Sequence, residues 1–293
     1  MRAHPFVTKF LFLSLLVSAF SCVLAAMQGG SGGGLVLVPV SVTDSKNVPV
    51  TTLKQEQFQL MEDNKDQKIV QFSSATDPLT LSVVLGLSAS GPVKTPGQKD
   101  RTSVDILAAV DKLREATTNN ALTQNPFDGD GMFDTVIKSM NELSKQPNPK
   151  KAMVVLSDGY IASGSQASSV PVPKALVDNS RVAPFPIYFL YMSSSSSSLP
   201  GFTENSTQAV GYYLQQVADN SGGNAVAGQT ENNLAKVSTD LRDSLKNLYI
   251  LGFQSTNTAK DGKWRKLTVK VTPPADIAKV KVDAKPRYFV PKG

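Results

Sequence analysis

The side chains of this chain that could do chemistry gather at the ends of two short segments. Leu79-Thr-Leu-Ser-Val-Val-Leu-Gly-Leu-Ser-Ala-Ser-Gly91 and Ala152-Met-Val-Val-Leu-Ser-Asp-Gly159 are apolar runs that stop abruptly in oxygen-bearing residues. Ser88 and Ser90 end the first, and Ser157 and Asp158 end the second. An open α/β sheet presents ligands in this way, at the carboxyl ends of its buried strands. The first segment also nearly spells Asp-x-Ser-x-Ser, a loop that holds a hard divalent cation through oxygen donors, but Gly86 stands where the Asp belongs.

Other chemistry is excluded by absence. The one His and the one Cys of the 293 residues are His4 and Cys22. Both fall in residues 1–26, which read as a targeting segment. Arg2, His4 and Lys9 form a positive start, Phe10 to Phe20 an apolar run, and Val23-Leu24-Ala25 precedes a small-residue cleavage point at Ala26. Cleavage there leaves no disulfide, thiol nucleophile, imidazole base or ordinary zinc site. An uncleaved anchor and a lipid-bearing Cys22 are the alternatives. Gly86-Leu-Ser-Ala-Ser90 misses the nucleophile elbow by one residue and has no histidine to serve it. Asp128-Gly-Asp-Gly131 begins like a calcium loop, but Met132 and Ser139 break its ligand pattern, so it reads as a turn. Gly29–Gly34 lacks the Lys-Ser/Thr of a phosphate loop and reads as a flexible tether.

Composition is that of a globular protein, with 41% apolar and 18% charged residues and a net charge of +6. The densest basic stretch, Lys260 to Lys270, alternates with Trp264 and Val269, which reads as the solvated face of a strand rather than a nucleic-acid patch.

The elements that must position these residues follow from periodicity. Residues 35–75 alternate as β structure, with turn chemistry at Asp44-Ser-Lys-Asn47. From Leu79 to about Asn247 buried strands at 81–87, 152–156 and 186–191 alternate with helices at 104–116, 132–143, 206–218 and 233–248. Ser221-Gly-Gly223 is the stop signal of the third helix. Thr117–Phe127 reads as a polar loop and Ser193–Ser198 as a low-complexity one. Tyr212, Tyr213 and Phe253 read as core or half-buried residues. After residue 249 the chain returns to strands, so a β-rich start and a β-rich end flank an α/β middle whose strands run mostly parallel.

Over residues 35–292 the sequence resembles the von Willebrand factor A (VWA) domain proteins, and in particular the bacterial exported VWFA-related acidobacterial family. The resemblance rests on an ordered set of marks. They are Phe58-Gln-Leu-Met-Glu-Asp-Asn, Lys68-Ile-Val-Gln-Phe72, Gly131-Met-Phe-Asp134, Val154-Val-Leu-Ser-Asp-Gly159, Ala218-Asp-Asn-Ser-Gly-Gly223, Tyr249-Ile-Leu-Gly-Phe253, Asp261-Gly-Lys-Trp-Arg-Lys-Leu-Thr-Val-Lys270 and Tyr288-Phe-Val-Pro291. It implies a doubly wound, Rossmann-like, mostly parallel sheet with a β-rich accessory region built from the N- and C-terminal segments. The corresponding divisions are a signal peptide at 1–26, a Gly-rich linker at 27–34, an N-terminal β segment at 35–76, the VWA-like domain at 77–248, and a C-terminal β segment at 249–293 that packs with 35–76.

The family's metal-ion-dependent adhesion site holds Mg²⁺ or Mn²⁺ at the sheet's carboxyl edge. Carried over residue by residue, Ser88 and Ser90 match its serines and Asp158 its second Asp. Gly86 replaces the first Asp, and Asp130 stands where Thr is expected. The resemblance therefore implies a degenerate site with one carboxylate lost and one gained, and a non-enzymatic, exported protein (periplasmic, secreted or on the cell surface). It would bind an unknown protein or surface partner through that edge, bind no nucleic acid, and meet a membrane only through an uncleaved signal or lipid anchor. Two alternatives stay open: an adhesion module whose rearranged Mg²⁺ or Mn²⁺ site uses Asp130, and a hydrolase using Asp130 and Asp158.

Overall fold

The computed structural model describes residues 34–86, 101–117, 122–126, 132–157, 174–192, 204–229 and 231–293. Residues 1–26, read as a targeting segment, residues 27–33 of the stretch read as a Gly-rich linker, and residues 193–198, read as a low-complexity loop, lie outside the described residues.

The middle of the chain forms a five-stranded parallel sheet. Its strands are β5 (Thr80–Gly86), β6 (Leu122–Pro126), β7 (Lys151–Ser157), β8 (Ile187–Met192) and β9 (Ala225–Gln229), in the spatial order β6-β5-β7-β8-β9. Helices α1 (Arg101–Arg114), α2 (Met132–Ser144), α3 (Lys174–Val182), α4 (Glu204–Ser221) and α5 (Glu231–Lys246) connect and flank these strands. Side chains alternate across the sheet. Leu81, Val83, Ala152, Val154 and Leu156 pack on one face with Val110 and Leu113 of α1 and Leu234 and Leu245 of α5. Val84, Met153, Val155, Ile187 and Phe189 pack on the other with Val136 of α2, Leu176 of α3 and Val217 of α4. Burial on both faces explains why these strands read as continuous apolar runs. The fold is the doubly wound α/β class expected from the sequence.

Three elements differ from expectation. β6, read as polar loop, pairs in parallel with β5 from Leu81↔Leu122 to Leu85↔Pro126. An edge strand has one partner and needs no apolar run, so its Leu-Thr-Gln-Asn-Pro sequence carries no strand signal. Helix α3 offers Leu176 and Ser180 as its buried residues, too few to show a 3.6-residue period. Strand β9, Ala-Val-Ala-Gly-Gln, is short and small.

The two ends of the chain supply the accessory region. β1 (Leu35–Asp44), β2 (Phe58–Glu62), β3 (Lys65–Gln67) and β4 (Ile69–Ser73) come from the start, and β10 (Tyr249–Gln254), β11 (Trp264–Val271), β12 (Val280–Ala284) and β13 (Arg287–Phe289) from the end. They interleave as two antiparallel sheets, β12-β1-β10-β4 and β13-β11-β2-β3. A shared core joins them: Val38, Val40, Leu60, Tyr249, Leu251, Phe253 and Leu267 are all buried. The Tyr249 hydroxyl donates to Val50 O at 2.8 Å and accepts from Leu53 N at 3.1 Å, which satisfies its polar end inside that core. Phe253 is buried as expected, whereas Tyr212 and Tyr213 are 68% and 41% exposed on α4. Helical spacing places Tyr212 opposite the face that carries Leu214 and Val217, and Tyr213 at the margin of that face.

Candidate functional site

In the order β6-β5-β7-β8-β9 the chain winds outward from β5 in one direction and from β7 in the other. The point where the order reverses lies between β5 and β7, and in open α/β sheets ligands bind outside the strand carboxyl ends at such a point. β5 and β7 are hydrogen-bonded neighbours in register from Thr80↔Lys151 to Gly86↔Ser157. Both segments singled out by their chemistry therefore leave the sheet side by side at its reversal point. Gly86 is the last residue of β5 and sits opposite Ser157, the last of β7.

Ser88, Ser90, Asp130 and Asp158 lie outside the described residues. Along the chain Ser88 is two residues past β5, Asp158 one past β7, and Asp130 two before α2. Among the described residues no group of three or more His, Cys, Asp or Glu side chains gathers to hold a metal ion.

The opposite, amino edge is described in full at its centre, and its key residues had no signal in the periodicity. Lys150 immediately precedes β7 and Lys151 opens it, and the two cap helices on opposite faces. Lys150 is fully buried and donates from Nζ to Ala75 O at 2.6 Å, Lys246 O at 3.1 Å and Ser74 O at 3.4 Å. Lys151 Nζ donates to Gln146 O at 2.9 Å and Ser144 O at 3.3 Å. Lys246 ends α5 and Ser144 ends α2, so each cation meets the negative end of a helix whose last carbonyls lack intrahelical partners. Burial pushes the Lys150 ammonium down to about 8, against the attraction of Asp77. Burial lowers Lys151 as well.

α4 is stopped beside them. Gly222 N and Gly223 N both bond Ala218 O, at 3.0 and 2.9 Å, and Gly222 has φ +89°. The backbone of Ile187 runs so close to Gly223 that a Cβ there would stand 2.0 Å from Ile187 O. Ser221 Oγ donates to Ala218 O at 2.8 Å and accepts from Ile187 N at 2.9 Å, tying the helix end to the start of β8.

The accessory sheets close on this same edge. The stem of Lys285 packs against Gly222, and burial lowers its ammonium to about 8. The Arg181 guanidinium lies 5.6 Å from the Phe289 ring centre. Burial raises the Tyr188 phenol well above its ordinary value, with Asp283 of β12 adding to the shift. A shallow cleft of about 550 Å³ elsewhere on the accessory region is lined by Gln55, Glu56, Gln59, Asp66 and Lys68. Its mixed, solvated side chains form no catalytic set.

No protein-family model matches the chain, and no curated protein matches it in sequence. Solved structures with a similar course include a point mutant of the PilB minor pilin from Streptococcus sanguinis, at 10% identity and TM-score 0.40, covering 79% of this chain and 97% of that one. The PilB minor pilin itself matches at 14% identity and TM-score 0.37, over 58% and 62% of the two chains. A von Willebrand factor type A protein from Catenulispora acidiphila matches at 8% identity and TM-score 0.38, over 88% and 74%.

Proposed function

We propose that the chain is an exported VWA-type interaction protein that binds a protein or surface partner through the carboxyl edge of its parallel sheet. The observation that carries the reading is the register of β5 and β7, which sets Gly86 opposite Ser157 at the reversal point of the strand order. The segments bearing Ser88, Ser90, Asp130 and Asp158 leave or enter the α/β layer at that edge. The accessory sheets close on the other edge, so the reversal point is the end of the layer that they leave to a partner.

In this reading the site works without a tightly held metal. Gly86 removes the carboxylate that would anchor a cation to the first strand, and neutral Ser88 and Ser90 bind a hard cation poorly alone. Calorimetric titration with Mg²⁺ and Mn²⁺ tests this on the wild type, Gly86→Asp and Asp158→Ala. Binding gained only in Gly86→Asp supports a decayed site. Tight wild-type binding lost in Asp158→Ala overturns it in favour of a rearranged site using Asp130. Photo-crosslinking groups at positions 88 and 281 address the partner. Crosslinks from 88 alone support the reading, and crosslinks from 281 alone reject it.

A further inference from the structure

Two stretches of chain connect the α/β layer to the accessory sheets, and they leave side by side. β4 and β10 are neighbours, with Ser73 opposite Ile250, and the whole layer is inserted between them. Lys150 holds both stretches at one point. Its ammonium donates to Ser74 O and Ala75 O on the way in and to Lys246 O on the way out. Asp77 folds the entering stretch back on itself, accepting from Ser74 N and Ser74 Oγ, both at 2.8 Å. Two adjacent crossings with one shared pin have the form of a hinge.

A second attachment lies on the opposite helix layer. The hinge meets the end of α5, which packs on one face of the parallel sheet, whereas β13 touches α3 and α4, which pack on the other. There the Arg181 guanidinium of α3 sits over the Phe289 ring. Lys285, at the crossing from β12 to β13, lays its stem along the end of α4, so close to Gly222 that a Cβ there would stand 3.0 Å from Lys285 Cβ.

The two attachments differ in how their lysines are satisfied. Lys150 has three carbonyls. Lys285 is 5% exposed, and among the described residues its Nζ has no hydrogen bond and no ion pair. The carboxylates of the surrounding elements face other groups: Asp178 pairs with Lys174 and Arg181, Asp219 accepts from Gln215, and Asp283 acts on Tyr188 of β8. An ammonium taken out of water with no protein partner is strongly disfavoured, and the fall of Lys285 to about 8 reflects that cost. At neutral pH the seam therefore closes over a charge that water would hold better. We propose that the seam of α3 and α4 with β12 and β13 is a latch, which opens about the Lys150 hinge and releases Lys285 to water while both units stay folded. It is a local opening of the kind that precedes global unfolding.

Amine acylation of the full chain at pH 8, followed by peptide mapping, reads the rate at each lysine separately. Lys150 is the internal reference, because it is fully buried in the hinge and reacts when the fold as a whole opens. Lys285 should react about tenfold faster than Lys150, or more, since local opening costs less than global unfolding. Arg181→Gln removes one side of the contact with Phe289 and should raise the Lys285 rate about fivefold, the worth of one cation–π contact, with Lys150 unchanged. Phe289→Leu, which removes the other side, should do the same. Equal rates at Lys285 and Lys150 in the wild type overturn the latch, because the two units then open only together. A fast Lys285 that neither substitution changes also overturns it, because the reagent then reaches the amine without any opening. So does a rise at Lys150 that matches the rise at Lys285 in both variants, because the seam is then inseparable from the fold.

Discussion

At the amino edge of the parallel sheet, buried lysines meet helix carboxyl ends, a glycine touches backbone, and two further sheets pack on top. At the carboxyl edge, β5 and β7 end side by side in Gly86 and Ser157, and the oxygen-rich segments begin within two residues. The first edge holds the α/β layer and the accessory region together as one fold. The second is fixed, among the described residues, by the strand order and the register of β5 and β7. The difference separates the residues that keep this protein folded from those that would decide what it binds.

Substitutions at the two edges should therefore differ in kind. Gly223→Val should have the largest effect, a loss of about 4 kcal/mol or more, because its Cβ would stand 2.0 Å from Ile187 O; chemical denaturation measures it. Lys150→Ala should cost about 3 kcal/mol, since it strands buried carbonyls of Ala75 and Lys246 and opens a cavity. Lys151→Ala, which removes two carbonyl contacts at a slightly exposed site, should cost about 1–2 kcal/mol in the same assay. A ratio reversed between these two lysines would break the assignment of Lys150 as the link between layer and accessory sheets.

The amino edge also predicts a pH dependence. Burial holds Lys150 and Lys285 near 8 in the folded chain, below the ordinary 10.5. Between those values the unfolded chain binds more protons, so stability should rise with pH there, by about 3 kcal/mol for each lysine; below pH 8 both states are protonated and the slope vanishes. Thermal unfolding across that range should show the rise, and Lys150→Met should remove about half of it, leaving the share of Lys285. At the carboxyl edge Asp130→Asn and Asp158→Ala should shift stability least, within about 0.5 kcal/mol. A larger loss from either would show that the edge holds the fold as well as a partner.

Much of the layer was legible from residue patterns. β5 and β7 are long apolar runs because both faces are covered, and the stop of α4 is written in Ser221-Gly-Gly223 by the need for a positive φ and a close approach. β6 was not legible, since an edge strand tolerates Thr, Gln and Asn. Nor was α3, whose nine residues bury too little to show a period. Tyr212 and Tyr213 read as core or half-buried residues by type and are exposed, at 68% and 41%, because aromatic character does not fix which side of a helix a residue takes.

By itself the sequence determined the doubly wound class, the pairing of a β-rich start with a β-rich end, and the chemical poverty of a chain whose one His and one Cys lie in its first 26 residues. These follow from local periodicity and composition, which each segment carries alone. Only the tertiary structure decided that β5 neighbours β7 at the reversal point, that Lys150 and Lys151 are caps rather than surface charges, and that Lys266 and Arg287 share one face with Trp264. Strand order and register depend on how distant segments bury each other's apolar faces, and residues 21 apart, such as Lys266 and Arg287, carry no local sign that they will stand opposite one another.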